Sequence, residues 1–526
     1  MNLETYQTIG KQCDAIMDRR DAGLVRVAIP WLHLLNEHPL ILENYIGLPV
    51  DSYENQFTNF PRPTSSKSFW KDMVKATIKL ALSLKKDRRN NGRSAQFKKI
   101  FNPRTSFGVL IVTNLVNRNH LKKAGDFYYG NIPDYFSSKG VKLVYINQTG
   151  NSNNILQKEA VKHGNWVLMD TLDYRTEYQI LYEALLERRK LRDVASKADT
   201  ALASAIAERA ADLCISQTTL NNLRIHEQIF RMCKAARPKM VMALHEGHAW
   251  ERCVWHAAKS AQQETIGVGF QHTILWRHAH SIKRSIRHDG GYNPDIILTI
   301  GDITRKRLEN SQGLKDVQII TSGTHRSQPA QEKPTSLDDS NGAVLVLPEG
   351  IEDECIFLFS FAVECARREP LRRYIFRTHP IISFESVREH VLANEPLPEN
   401  VLVSEEQDIQ RDFEKAAFIM YRGSSTALYG ILAGLQPVYI RKEEDIEIDQ
   451  LYEIELWRTS ASSVRDFVDV LRTEEQRPSA TKIKDWEAAK DYCLAYIKPI
   501  NKTVFEMMAR SIDSPESKDD PKGDSQ

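Results

Sequence analysis

Phe418-Ile-Met-Tyr-Arg-Gly-Ser-Ser-Thr-Ala-Leu-Tyr-Gly-Ile-Leu-Ala-Gly-Leu-Gln-Pro-Val-Tyr-Ile440 is the stretch that decides the fold. Four apolar residues, Phe418 to Tyr421, make a short strand. Gly423 and two serines break it. Thr426 to Ala433 then reads as a helix, which Gly434 ends before Val438-Tyr-Ile opens another strand. Strand, helix, strand in this order is a βαβ unit, and such units build parallel sheets.

The same rhythm extends in both directions. Ala343-Val-Leu-Val-Leu-Pro, Tyr374-Ile-Phe-Arg-Thr and Val401-Leu-Val-Ser precede the quoted stretch. Before them, residues 326–342 are polar and rich in Pro, Ser and Asp, a linker composition. An earlier strand series lies upstream of the linker. It comprises Phe107 to Thr113, Val141 to Asn147, Trp166 to Asp170, Met240 to Leu244, Ile266 to Phe270, Ile296 to Ile300 and Val317 to Thr321. Residues 174–235 between them are charge-rich and helical in pattern. The expected architecture is α/β: two Rossmann-like domains facing a cleft. The N-terminal domain spans 101–325 with a helical insertion at 174–235, and the nucleotide-binding domain spans 343–475. A helical N-terminal extension covers 1–100, a C-terminal helix 476–512, and a disordered tail 513–526.

Bulk properties narrow the function classes. With 526 residues, the chain is long enough for two to four domains at roughly 100–200 residues each. Hydrophobic residues make up 41% and charged residues 27%, which is ordinary for a globular protein. A net charge of +2 gives no reason to expect nucleic acid as a partner. The seven cysteines are scattered without a CxxC pair, which argues against a disulfide framework and a zinc site. The N-terminus lacks the apolar core of a signal peptide, and no stretch approaches the ~20 apolar residues of a membrane span. A cytoplasmic location is the expectation. Phe69, Trp70, Met73, Val74, Ile78 and Leu80 recur at helical spacing among the lysines and arginines of 71–99, a pattern that fits either peripheral contact with the inner membrane or a solvated face.

Ligands in open α/β sheets bind beyond the carboxyl ends of the strands, so residues just past each strand are the site candidates. Arg377 and His379 follow the strand at 374, and Pro380 fixes the backbone beside the imidazole. Gly423, Ser424, Ser425 and Thr426 open a helix and offer N–H groups and hydroxyls to a phosphate; a plain serine N-cap needs no ligand. Gly350 lets a ligand approach the backbone, and the acids Glu352, Asp353 and Glu354 fit the first turn of a helix. In the first domain, His245, Glu246 and His248 follow the strand at 240, with Trp250 in the helix behind them. Glu246 is the first candidate for a base that deprotonates an acceptor hydroxyl, followed by His245 and His248. Gln271, His272 and Arg277 suit an acceptor or an anionic sugar. The His245, Glu246, His248 set lacks the i, i+4 spacing of a zincin, so no metal site is expected.

Arg377-Thr-His379-Pro380 together with Ser424-Ser425 resembles the HP and SS motifs of bacterial CMP-sugar transferases of GT-B fold, which include sialyl-, polysialyl- and Kdo transferases. Glu246-Gly247 is similar to the end of their acidic D/E-D/E-G motif, although His245 stands at the first acidic position here. The HP and Ser-Ser pair also looks like the CDP-polyol phosphotransferases of teichoic acid synthesis. The run Glu246-Gly-His-Ala-Trp-Glu251 looks like a group of surface carbohydrate biosynthesis proteins. The resemblance covers roughly 240–440. It implies that His379 and the serine pair hold the nucleotide, that Glu246 is the base, and that no metal or other cofactor takes part. The expected activity is metal-independent transfer of a sugar, CMP-linked, to a bacterial surface polysaccharide (lipopolysaccharide or capsule) or to a lipid-linked glycan. A CDP-polyol phosphotransferase and a non-catalytic scaffold of a glycan-assembly complex stand as alternatives.

Overall fold

The computed structural model describes residues 3–33, 106–122, 125–149, 153–286, 291–332, 342–379, 382–443 and 445–512. The basic segment 71–99, most of the linker, Pro380 and the tail 513–526 lie outside the described residues.

The chain forms two parallel sheets, as the alternating pattern requires. The first holds β1 (Val109–Leu115), β2 (Val141–Asn147), β3 (Trp166–Val167), β4 (Met240–Leu244), β5 (Ile266–Gln271), β6 (Ile296–Thr299) and β7 (Gln318–Thr321), in spatial order 3-2-1-4-5-6-7. The second holds β8 (Ala343–Leu347), β9 (Tyr374–Phe376), β10 (Val401–Val403), β11 (Ala416–Tyr421), β12 (Gln436–Ile440) and β13 (Thr459–Ala461), in order 10-9-8-11-12-13. Every pairing between these strands is parallel. This is the doubly wound Rossmann order, formed twice. The central strands read as unbroken apolar runs because helices cover both faces, and β4, β8 and β11 are buried along their whole length.

The direction of winding reverses between β1 and β4 in the first sheet and between β8 and β11 in the second. A crevice opens at such a switch point, since the flanking connections leave in opposite directions. Both switch points supply the strand ends that line the cleft described below.

The helical stretches divide into separate helices. The region 174–235 is three helices, Tyr174–Ser196, Ala201–Leu213 and Gln217–Ala236. Side chains of Asp173, Thr200 and Ser216 each accept a hydrogen bond from a first-turn N–H, which fixes the three starts. The single C-terminal helix expected over 476–512 is two, Ser479–Tyr496 and Lys502–Ser511, with Pro499 between them. The edge strand β13 was not foreseen.

Helix Ser479–Tyr496 ties the two units together. Trp486 Nε1 donates to Ile431 O at 2.7 Å in the second unit, while the Tyr496 hydroxyl accepts from Leu275 N at 2.9 Å and Arg307 at 3.0 Å in the first. At the other end of the chain, helix Leu3–Met17 packs onto the first unit: Tyr6 rests on Trp276 with ring centroids 5.7 Å apart, and Asp18 pairs with Arg284 at 3.0 Å. No described helix is long and apolar enough to cross a membrane.

Candidate active site

The two switch points face a common cavity of about 810 Å³, a size suited to a small organic ligand. The first unit contributes Glu246, His272, Tyr128 and Trp276, the second Glu349, Gly350, His379 and Gly423 to Thr426, and Arg326 enters from the start of the linker.

On the first wall, β4 runs into a turn that Glu251 organises. Its buried carboxylate accepts from the backbone N–H of Glu246 at 2.9 Å, Gly247 at 2.9 Å and His248 at 3.1 Å, and pairs with His245 Nδ1 at 2.9 Å. Gly247 has φ +96°, and a Cβ there would meet Ile282 N at 2.6 Å, so the turn requires glycine. The result projects Glu246 into the cavity. Its Oε1 lies 2.8 Å from His272 Nε2 and its Oε2 3.6 Å from His248 Nε2. Burial disfavours its charge, but the positive charge of His272 and the hydrogen bonds from His248 and His272 outweigh that, holding the carboxyl well below its ordinary range. Glu246 is therefore an ionised carboxylate, with the ring of Tyr128 tilted over His272 at 4.7 Å to hold the imidazole in place.

On the opposite wall, Gly423, Ser424 and Ser425 follow β11. Ser425 has helical dihedrals, φ −62° and ψ −20°, and its side chain makes no capping bond, so the N-cap role does not describe it. The helix it precedes, Thr426–Leu432, has only seven residues. The dipole expected to hold a phosphate is correspondingly small, and the polar groups of the turn itself are what the wall offers. His379 stands beside Gly350, where a Cβ would meet its Nδ1 at 2.7 Å. Burial lowers the His379 pKa, which favours the neutral imidazole. Glu349 lies against Gly423 so closely that a Cβ on Gly423 would meet Glu349 Oε1 at 1.4 Å. Its carboxyl is half-buried. Burial and the charge of Glu354 raise its pKa to about 8, against the opposing pull of Arg422.

The structure thus brings Glu246, His272, Gly350, His379, Gly423, Ser424, Ser425 and Thr426 to one cavity. Other expected site residues are placed elsewhere. His245 is fully buried behind the wall and held by Glu251, so it cannot meet a substrate. Arg377 is committed to Asp412 at 2.7 Å and to Glu406 O at 2.6 Å, which removes it from any phosphate. Gln271 is buried, its amide held by Thr273 O. Trp250 packs among core side chains. Arg277 is exposed and lies over the Tyr452 ring at 5.3 Å. His248 does not line the cavity; its Nε2 lies 3.6 Å from Glu246 Oε2. Among the described residues no group of three or more His, Cys, Asp or Glu is placed to hold a metal ion.

Glu349, Arg326 and Tyr128 are among the lining residues that the sequence reading did not select. Glu349 follows β8 with only Pro348 between, so the rule that selected Gly350 applied to it equally. Arg326 sat at the first position of the polar linker; its guanidinium stacks on Phe127 at 4.6 Å and Tyr128 at 5.4 Å and donates to Phe127 O at 3.2 Å. Tyr128 lies in an irregular loop after β1 that carries no motif.

No family model matches the chain, and no curated protein matches it. Solved structures with a similar course of chain include the glycotransferase of kitacinnamycin, at 10% identity and TM-score 0.44, covering 78% of this chain and 100% of that one. A putative UDP-N-acetylglucosamine 2-epimerase from Listeria monocytogenes shows 12% identity and TM-score 0.44, with coverages of 78% and 99%. A glycosyltransferase from Rickettsia africae shows 13% identity and TM-score 0.41, with coverages of 78% and 99%. At such identities and TM-scores these likenesses carry no argument about chemistry. The fold class rests on the chain's own two sheets: an α/β protein with two Rossmann-like units facing a cleft, the GT-B arrangement.

Proposed function

We propose that this protein is a glycosyltransferase that moves a sugar from a nucleotide-activated donor to a glycan hydroxyl. One observation carries the reading: a single interdomain cavity sets the ionised Glu246 on one wall opposite His379 and the Ser424–Ser425 turn on the other. Sugar transfer needs those two functions apart, a base for the acceptor and polar groups for the departing phosphate.

In this reading the nucleotide lies on the second wall. Ser424, Ser425 and Thr426 donate hydroxyls to the phosphate, His379 donates through its N–H, and the bare backbone at Gly350 and Gly423 allows close approach. Arg326 adds positive charge from the linker side. The acceptor enters against the first wall, where Glu246, aligned by His272, takes the proton of the attacking hydroxyl. Closure of the two units excludes water and limits hydrolysis. The HP and Ser-Ser pair supports a CMP-linked donor, and the resemblance at 246–251 supports a bacterial surface polysaccharide or lipid-linked glycan as acceptor.

The test is thermal stabilisation of the purified protein by CMP, CDP, UDP, GDP and dTDP, since a ligand that binds only the native state raises Tm. A shift with CMP that is lost in His379→Ala supports the proposed donor. A shift with UDP or GDP alone overturns the donor class, and no shift with any of the five overturns the transferase reading.

A further inference from the structure

Glu349 is an acid in a place that has to receive an anion. It lines the cavity beside the turn Gly423–Thr426, with its Oε1 against the Cα of Gly423, and the adjacent Gly350 abuts the His379 ring. Glu349, and His379 beside Gly350, therefore line the same wall of the cavity, where a nucleotide phosphate is to be held. An ionised carboxylate there repels the ligand. A neutral carboxylic acid is instead a hydrogen-bond donor, and it strengthens the site as charge develops.

The surroundings decide between the two states. Behind Glu349, at the start of helix Glu352–Arg368, lies Glu354, which Arg422 holds at 2.8 Å with both side chains 2% exposed. Cys355 on the same helix donates its thiol to Glu349 O at 3.2 Å. Beyond Arg422, Asp445 approaches it at 3.6 Å and Lys442 pairs with Asp445 at 3.0 Å. His379 faces from the end of β9, and Glu246, His272 and Arg326 face from across the cavity. Burial and Glu354 favour the proton on Glu349, and Arg422 offsets only part of this. Burial lowers the His379 pKa and pushes the Cys355 thiol up to about 12.

We propose that Glu349 is a catalytic residue of the transfer, binding the donor phosphate as a neutral carboxylic acid and stabilising the charge that phosphate gains when its bond to the sugar breaks. This rests on the transferase reading above. The balance is simple. Glu246 takes the proton of the acceptor hydroxyl, whose oxygen forms a bond to the anomeric carbon. The bond from that carbon to the phosphate oxygen breaks, and its electron pair stays on the phosphate. The proton of Glu349 remains on Glu349, because a phosphate monoester with a pKa of about 6 is the stronger acid. Ionisation of Glu349 then weakens nucleotide binding.

The experiment is calorimetric titration of CMP and UDP into wild type, Glu349→Gln and Glu349→Asp between pH 7 and 9, above the phosphate's own ionisation. Only the protonated fraction binds, so wild-type affinity falls about tenfold over those two pH units. Glu349→Gln, a permanently neutral donor, gives a flat profile and binds within about threefold of wild type at pH 7. A wild-type profile that is flat over this range overturns the proposal even if neither variant folds. So does a loss above tenfold in Glu349→Gln at pH 7, which marks an ionised acceptor. Failure of wild type to bind either nucleotide or any other of the five at any pH is a different result: it removes the transferase reading itself.

Discussion

Glu246 Oε1 stands 2.8 Å from His272 Nε2, the carboxylate projecting from the turn after β4 and the imidazole from the end of the neighbouring strand β5. Adjacent strands of one sheet thus fix both members of the pair, and their separation does not depend on a flexible loop. Such a pair holds a base in one orientation and sets its acidity together.

The first prediction concerns the base. Glu246→Gln keeps the shape of the side chain and removes its basicity. Transfer should fall about 10²- to 10⁴-fold in kcat, while nucleotide affinity, measured by calorimetry, stays within about twofold because the nucleotide lies on the other wall. Wild-type turnover in this variant would exclude Glu246 as the base.

The second concerns pH. His272 is the leading influence that lowers the Glu246 pKa against the opposing effect of burial. In His272→Asn that charge is gone and burial acts with less opposition, so the carboxyl titrates higher. Activity requires ionised Glu246, so the acid limb of kcat/KM against pH should move to higher pH. An unmoved limb would separate the pair functionally.

The fold was legible because period and punctuation agree throughout. Each strand of the quoted stretch is a short apolar run, and glycines mark where each element stops. The switch-point rule then picked out Glu246, His379 and the Ser424–Ser425 turn without any knowledge of the tertiary structure. What failed were statements about which side chain reaches the cavity. Arg377 and His379 are two residues apart after the same strand, yet one is drawn back by Asp412, a residue 35 positions away. His245 and Glu246 are adjacent just past β4, and the turn that Glu251 holds leaves one in the core and the other in the cleft. Nothing local reveals Asp412 or Glu251 as the partners that decide these outcomes. Glu349 stands next to Gly350 and was not selected with it, and an acid is the wrong charge for a phosphate site only while it is ionised.

The third prediction follows from the contact between Glu349 and Gly423. Gly423→Ala places a methyl 1.4 Å from Glu349 Oε1, so the acid must swing away. Nucleotide affinity should drop tenfold or more and its decline with pH should disappear, both read by calorimetry. Ser424→Ala loses one hydrogen bond without displacing anything, and a three- to tenfold loss is expected, from about 1 kcal/mol for the bond.

The fourth links Glu349 to stability. Its pKa is 4.5 in the unfolded reference and about 8 in the fold. The native state binds the proton more tightly, so the stabilisation this carboxyl contributes is fully present below pH 4.5 and is lost as pH rises to about 8. Glu349→Gln carries no such term. Its Tm relative to wild type should rise steadily across that window and level off above it, in melts recorded without nucleotide. A constant difference across the window would show that the carboxyl is not perturbed.

The fifth tests how the N-terminal segment supports the site from a distance. His33, which ends the 3-10 turn Pro30–His33, is buried with its Nε2 2.6 Å from Val27 O and its Nδ1 3.3 Å from Ser281 Oγ. Ser281 Oγ in turn donates to Gly247 O at 2.6 Å, on the turn that aims Glu246. Asp14, in helix Leu3–Met17, pairs with His280 at 2.9 Å, next to Ser281. Residues 3–33 therefore brace the base from behind, and none of them lines the cavity. Ser281→Ala removes the contact with Gly247 O and leaves the nucleotide wall untouched. Loss of orientation alone affects the chemical step, so kcat should fall about tenfold with the donor KM nearly unchanged. A purely structural role would instead lower Tm and scale down the active fraction without altering turnover per folded molecule. Active-site titration with the nucleotide, run beside the kinetics, distinguishes these results. Ser281→Thr retains the hydroxyl and should recover most of the rate wherever its extra methyl is accommodated.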